Sequence, residues 1–212
     1  MTYRGLVVDF GGVLTTSIFE SFRTFCRREG VEEERLIDLL HSSYRDGSEE
    51  SLVARVETGA VSTQEFEGMM AELLSEGLER PVAPGGLVAR MLETVEPDPA
   101  MLQAVGRARV EGIKTGLLSN AWSPRQYRIG GIDDGLFDAV VISNEVGMRK
   151  PSEAIFLEAA RRLGMDPGGC VFVDDIRANV EAAERVGMRG VLHERSEETV
   201  PRLEELLGVS LG

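Results

Sequence analysis

Asp9 ends a short apolar run, Leu6-Val7-Val8, and is followed by Phe10-Gly11-Gly12-Val13-Leu14-Thr15. Ser119-Asn120 ends a second such run, Ile113 to Leu118. Lys150 stands in Arg149-Lys150-Pro151, and Asp174-Asp175 ends a run from Cys170 to Val173. Adjacent carboxylates facing a third one repel each other unless a hard divalent cation sits among them. Magnesium favours that setting: one or two carboxylates, waters and a phosphate oxygen. A lysine and a serine hydroxyl, with backbone amides freed by the two glycines, could hold the remaining oxygens of a phosphoryl group. An aspartate beside such a group can attack it and form an aspartyl phosphate. Each residue also has a plainer reading, Ser119 or the aspartates as helix caps and Lys150 as a solvated cation. Their joint occurrence at the ends of apolar runs weakens that reading.

The elements that must position these residues follow from periodicity. Apolar runs alternating with helical stripes predict a doubly wound, Rossmann-like parallel sheet, an α/β fold in which ligands bind beyond the carboxyl ends of the strands. The strands are expected at Leu6–Val8, Ile113–Leu118, Ala139–Ile142, Cys170–Val173 and Gly190–Leu192. Residues 17–96 contain helical stripes and no strand pattern. Ile18, Phe19, Phe22, Phe25 and Cys26 share one face that stops at Gly30, and a second helix starts near Glu32. A short helix carries Leu52, Val53 and Val56. Ser62 and Glu65 have capping-box spacing before the stripe of Phe66, Met69, Met70, Leu73 and Leu74. A further helix is expected over Leu87–Thr94. Pro97 and Pro99 mark the boundary, so 1–16 and 97–212 form the α/β core domain and 17–96 a small helical cap over its carboxyl edge. Pro151 suits the first turn of a helix ending at Gly164, with Ile155, Phe156, Ala159, Ala160 and Leu163 on one face.

The chain has 212 residues and a net charge of −13, which argues against nucleic acid and against anionic membrane surfaces as partners. No apolar run is long enough to span a bilayer, and the first run, broken by Asp9, does not read as a signal peptide. Cys26 and Cys170 form no redox or metal motif and fit a reducing, cytoplasmic setting with both thiols in the core. Cap or core surfaces could pair into a homodimer. Arg45 and Arg55 are cap cations that could meet a substrate, though solvated surface explains each. His41 and His193 take no role.

The four motifs, in this order and over essentially the whole chain, resemble those of the haloacid dehalogenase-like (HAD) hydrolase superfamily. They are Asp9 to Thr15; Leu117-Leu118-Ser119-Asn120; Ile142 to Pro151; and Val171 to Asn179. The Asp-Asp-x-x-x-Asn form and the Gly-Gly-Val-Leu turn look closest to the subfamily IA branch that contains the phosphatase domain of soluble epoxide hydrolase. The resemblance implies that Asp9 is nucleophile and magnesium ligand, with Asp174 the second carboxylate ligand and Asp175 beside it. Ser119, Asn120 and Lys150 would hold the phosphoryl group, and Asn179 would support the fourth motif from behind. One departure stands out. Where most phosphatases of the superfamily carry a general-acid aspartate two positions after the nucleophile, this chain has Gly11, whose carbonyl can still ligate metal. The expected activity is therefore a magnesium-dependent phosphatase for a small phosphorylated metabolite. A 2-haloacid dehalogenase-type hydrolase and a non-catalytic phosphometabolite-binding protein are the alternatives.

Overall fold

The computed structural model describes residues 2–45, 50–123, 132 and 134–212, with backbone alone for 41–45 and 134. Five apolar runs become β1 (Gly5–Val8), β2 (Lys114–Ser119), β3 (Ala139–Ile142), β4 (Cys170–Asp174) and β5 (Arg189–Leu192). They form one sheet in the order β3-β2-β1-β4-β5, and every neighbouring pair is parallel. The helices in chain order are α1 (Ile18–Glu29), α2 (Glu33–Arg45), α3 (Leu52–Glu57), α4 (Thr63–Ser75), α5 (Leu87–Met91), α6 (Pro99–Val110), α7 (Ser143–Val146), α8 (Glu153–Leu163), α9 (Arg177–Arg185) and α10 (Ser196–Leu207).

Alternate strand residues face opposite sides, and each side has its own core. Leu6, Val8, Val171 and Val173 pack against α6 and α10, through Met101, Val105, Leu203 and Leu207. Val7, Cys170 and Phe172 pack against α8 and α9, through Ile155, Phe156, Ala182 and Ala183. This is the doubly wound arrangement the alternation predicts, and both cysteines are buried and free.

Helices α1–α5 bury their stripes in a third cluster of their own, centred on Phe22, Phe25, Phe66, Met70 and Leu74. The capping box at Ser62 forms in full, with the hydroxyl accepting from Glu65 N and the Glu65 carboxylate accepting from Ser62 N. The chain enters and leaves this helical block at adjacent points. Thr15 and Pro97 make an antiparallel bridge, Thr16 N donates to Glu96 O, and Asp98 N donates to Leu14 O, each of these bonds 2.8 Å long. Trp122, from the segment after β2, is buried in the helical cluster, stacked on Phe22 at 5.5 Å between ring centroids.

Three local expectations differ. α5 ends at Met91 rather than Thr94, because the Ser21 hydroxyl donates to Met91 O at 2.7 Å while Ser21 Oγ accepts from Thr94, drawing the chain onto α1. Pro151 lies outside the helix: the Lys150–Pro151 peptide is cis, Ser152 is the N-cap and α8 starts at Glu153. The third motif also contains a single helical turn, α7, closed by Gly147 in the left-handed conformation.

Candidate active site

Sheet register brings the first, second and fourth motifs to one edge. Val8 is level with Leu117 of β2 and Val173 of β4, so Asp9 emerges beside Leu118 and Asp174, with Ser119 one residue further on. Asp9 N continues the ladder by donating to Val173 O at 2.9 Å. The chain then turns sharply. Gly12 has φ +74°, and a Cβ there would lie 2.2 Å from Asp175 Oδ2, so this glycine serves both the turn and the close approach of a carboxylate.

Lys150 is buried beneath this edge. Its ammonium lies 2.7 Å from Asp9 Oδ1 and 2.7 Å from Asp174 Oδ2, and donates to Leu118 O at 3.2 Å. An ammonium has three donors, so all three are engaged in holding the carboxylates and the end of β2. Asp174 is equally committed. Its Oδ1 accepts from Ile176 N at 2.8 Å and from Asn179 Nδ2 at 3.0 Å; its Oδ2 takes Lys150 and a second approach of Asn179 at 3.1 Å. Asn179 thus supports Asp174 from α9, and its own Oδ1 is buried without a hydrogen-bond partner.

Asn120 sits against the lysine loop rather than standing free. Its Oδ1 accepts from Lys150 N at 2.9 Å and its Nδ2 donates to Lys150 O at 3.0 Å, bracing the two motifs together. The Ser119 hydroxyl is buried and donates weakly to Asn120 O at 3.3 Å.

The electrostatics follow from burial. Asp9 is pushed up to about 8, first by loss of solvent and then by Asp174 and Asp175, with Lys150 pulling against them. Asp175 is pushed up to about 7 by burial and by Asp174. Burial alone would depress the Lys150 ammonium, but Asp174 and Asp9 outweigh it and hold its pKa above the usual lysine value. Oxygens of Asp9, Asp174 and Asp175 lie within 4.8 Å of one another. Two of the three carboxylates pair with one ammonium, and Asn179, with its unpartnered oxygen, lines the same site. That donor set suits a small hard dication with some of its waters.

A cavity of about 100 Å³ opens over the edge. Asp9, Gly11, Ser119 and Asp175 are on its floor side, while Ile18, Phe19, Phe22, Leu40 and Trp122 supply apolar wall. Glu57, at the end of α3, also lines it and is buried. Its carboxylate accepts from Arg149 Nε at 2.7 Å, Asn120 Nδ2 at 3.2 Å and Trp122 Nε1 at 3.3 Å, tying the helical block to the second and third motifs. Sequence reasoning passed over it, although it sits four residues after Val53 on the buried stripe of a short helix, where a charge needs a partner. Arg55, singled out instead, is not among the residues lining the cavity. The side chains of Arg45 and His41 fall outside the described residues. His193 directly follows β5, with Nδ1 2.9 Å from Thr199 Oγ1 and its N donating to Asp174 O, and burial lowers its pKa. Among the described residues, no helix is long and apolar enough to cross a membrane.

The family of haloacid dehalogenase-like hydrolases matches residues 3–187. The chain is 26% identical over 227 residues to bifunctional epoxide hydrolase 2 of Sus scrofa, covering 100% of this chain and 40% of that protein. It is 35% identical over 99 residues to a glyceraldehyde 3-phosphate phosphatase of Methanopyrus kandleri, covering 44% of this chain and 42% of that one. It therefore spans less than half the length of either relative. Among solved structures, one described as a predicted HAD-like family hydrolase, from Porphyromonas gingivalis, superposes with a TM-score of 0.71 at 26% identity, over 99% of this chain and 100% of that one.

Proposed function

The chain belongs to the haloacid dehalogenase-like hydrolases, and from that premise we propose that it is a magnesium-dependent phosphatase working through an aspartyl phosphate on Asp9. The observation that carries this reading is the cluster of Asp9, Asp174 and Asp175, with carboxylate oxygens within 4.8 Å of one another and Asp9 and Asp175 lining a cavity. A dehalogenase has no need of such a cation site. The phosphatase among the relatives supports the same class.

Asp9 is the nucleophile: one carboxylate oxygen attacks phosphorus in line with the departing oxygen. Lys150 fixes the rotamer of Asp9 through the 2.7 Å ion pair and pulls against the burial that raises the pKa of the attacking carboxylate. Asp9 and Asp175, with the Gly11 carbonyl, would hold magnesium, which when bound neutralises charge on the carboxylates and the phosphoryl oxygens. Asp174, with its oxygens already occupied, positions Lys150, and Asn179 positions Asp174. The Ser119 hydroxyl binds a phosphoryl oxygen, and Asn120 keeps the lysine loop in register. Water then cleaves the aspartyl phosphate and restores Asp9. The buried, free cysteines fit a cytoplasmic location.

Release of inorganic phosphate from a panel of phosphomonoesters, with magnesium and with excess chelator, tests the reading beside Asp9→Asn. Release should require magnesium and fall by about 10⁴-fold or more in the variant, the scale on which a lost covalent nucleophile is felt. Hydrolysis indifferent to chelation would shift the reading to dehalogenase-type chemistry. Wild-type protein that binds magnesium and phosphate without turnover would be a binding protein.

A further inference from the structure

We propose that the substrate's leaving group is apolar and weakly basic: a phosphate ester of a phenol-like or enol-like hydroxyl, not of a sugar or a simple alcohol. The inference rests on the phosphatase reading and adds the identity of the departing group.

The first observation concerns Gly11. A Cβ built on it would meet Ile18 Cδ1 at 2.1 Å and Cγ1 at 2.9 Å. A side chain at this position would have to displace the end of the Ile18 side chain from α1. The remaining carboxylates around the cavity are committed elsewhere. Glu57 is held by Arg149, Asn120 and Trp122, and Asp175 belongs to the cation cluster. Among the described residues, then, no acid stands ready to protonate a departing oxygen. Such help is worth about 10²–10⁴-fold, and a leaving group that departs as a stable anion does not need it. A phenol, with a pKa of about 10 for tyrosine, is far better placed than an alkoxide, whose conjugate acid resembles water at about 15.7.

The second observation is the wall. Ile18, Phe19, Phe22, Leu40, Trp122 and Ile176 line the cavity, with the Phe22 and Trp122 rings stacked on each other. A second cavity of about 210 Å³ inside the helical block shares Phe19, Phe22 and Leu40, so the apolar surface continues away from Asp9. Phe19, 40% exposed, lines both cavities and meets the Phe22 ring edge-on. Among the described residues lining the first cavity Lys150 is the one cation, with its three donors taken; in the second, Arg23 is paired with Glu20 and Glu33.

The step balances without an acid. The Asp9 oxygen–phosphorus bond forms as the phosphorus–aryloxygen bond breaks, and the electron pair stays on the aryloxide. Water then adds to phosphorus and frees Asp9, and a proton of that water finally reaches the aryloxide.

The test compares kcat/KM, in magnesium, for three esters of similar size: phenyl phosphate, cyclohexyl phosphate and glucose 6-phosphate. Phenyl phosphate should exceed cyclohexyl phosphate by about 10²–10⁴-fold, glucose 6-phosphate should be poorest, and Phe19→Asn should raise KM for phenyl phosphate several-fold. Cyclohexyl phosphate matching phenyl phosphate, or glucose 6-phosphate exceeding either, would overturn the inference and leave the phosphatase reading standing. If none of the three, nor any ester of a broader panel, releases phosphate in a manner dependent on Asp9 and magnesium, the phosphatase reading itself fails and the inference with it.

Discussion

At the carboxyl edge of the sheet, charge is buried and saturated: Lys150 meets Asp9 and Asp174 at 2.7 Å each, and Asn179 and Ile176 N occupy what remains of Asp174. A few ångströms above, the helical block answers with Ile18, Phe19, Phe22 and Leu40, and its one charged contribution to the cavity among the described residues, Glu57, is spent on binding to its neighbours. The charged side is held by backbone that the sheet fixes, so its geometry depends on strand register. The apolar side is held by side-chain packing, so its shape depends on volume. Chemistry and selectivity are thereby assigned to parts of the molecule with different tolerances for change.

That contrast is sharpened most by removing the cation. Lys150→Met removes the ion-pair partner of two buried carboxylates, Asp9 and Asp174, and a broken buried ion pair costs about 3–5 kcal/mol. Chemical denaturation in chelator should register that loss, and magnesium should recover part of it. Acidity probes the same edge. Because Asp9 and Asp175 titrate near 8 and 7 in the folded chain against about 4 unfolded, the folded state holds protons that the unfolded state has released. Stability of the chelated protein should therefore fall as pH rises from about 4 to 8, and the slope should flatten in Asp9→Asn or on adding magnesium. His193, whose lowered pKa works in the opposite direction below about 6.5, is common to both proteins and cancels in that comparison.

The apolar side is broken more gently. Gly11→Asp alone should gain no turnover of cyclohexyl phosphate, because its side chain would have to displace the end of Ile18. Gly11→Asp with Ile18→Ala should gain at least tenfold, a fraction of the roughly 10²–10⁴ that a general acid supplies. Loss of both variants' phosphatase activity with retained folding would instead mean that the floor tolerates no carboxylate there. At the seam, Glu57→Gln should cost about 1–3 kcal/mol in denaturation midpoints, since Arg149 loses a charged acceptor in a buried setting. The exposed Arg28–Glu93 pair is the control: Arg28→Gln should change stability by no more than about 0.5 kcal/mol.

Most of the charged edge was legible in the sequence, and for a local reason. A strand ends where its apolar run ends, so Asp9, Ser119 and Asp174 could be set side by side before their register was known. The roles within the set were less accessible. Asn120 braces Lys150, and Asp174 accepts from Lys150 and Asn179. These are meetings between segments remote in sequence, to which periodicity is blind. The same holds for Ile18 against Gly11, for Trp122 buried among Phe22 and Phe66, and for the Ser21 hydroxyl that ends α5. Glu57 alone left a trace, as a charge on an apolar stripe.

The paired crossings at Thr15 and Pro97 have a consequence of another kind. Closing a loop between two adjacent points costs entropy that grows only with the logarithm of its length, so the sheet is nearly indifferent to how much chain is inserted there. The helical block is in effect a cassette, seated where its entering and leaving segments are joined by a single antiparallel bridge. A lineage could exchange it, lengthen it or reline it, and so try new substrates while inheriting the reactive edge unaltered.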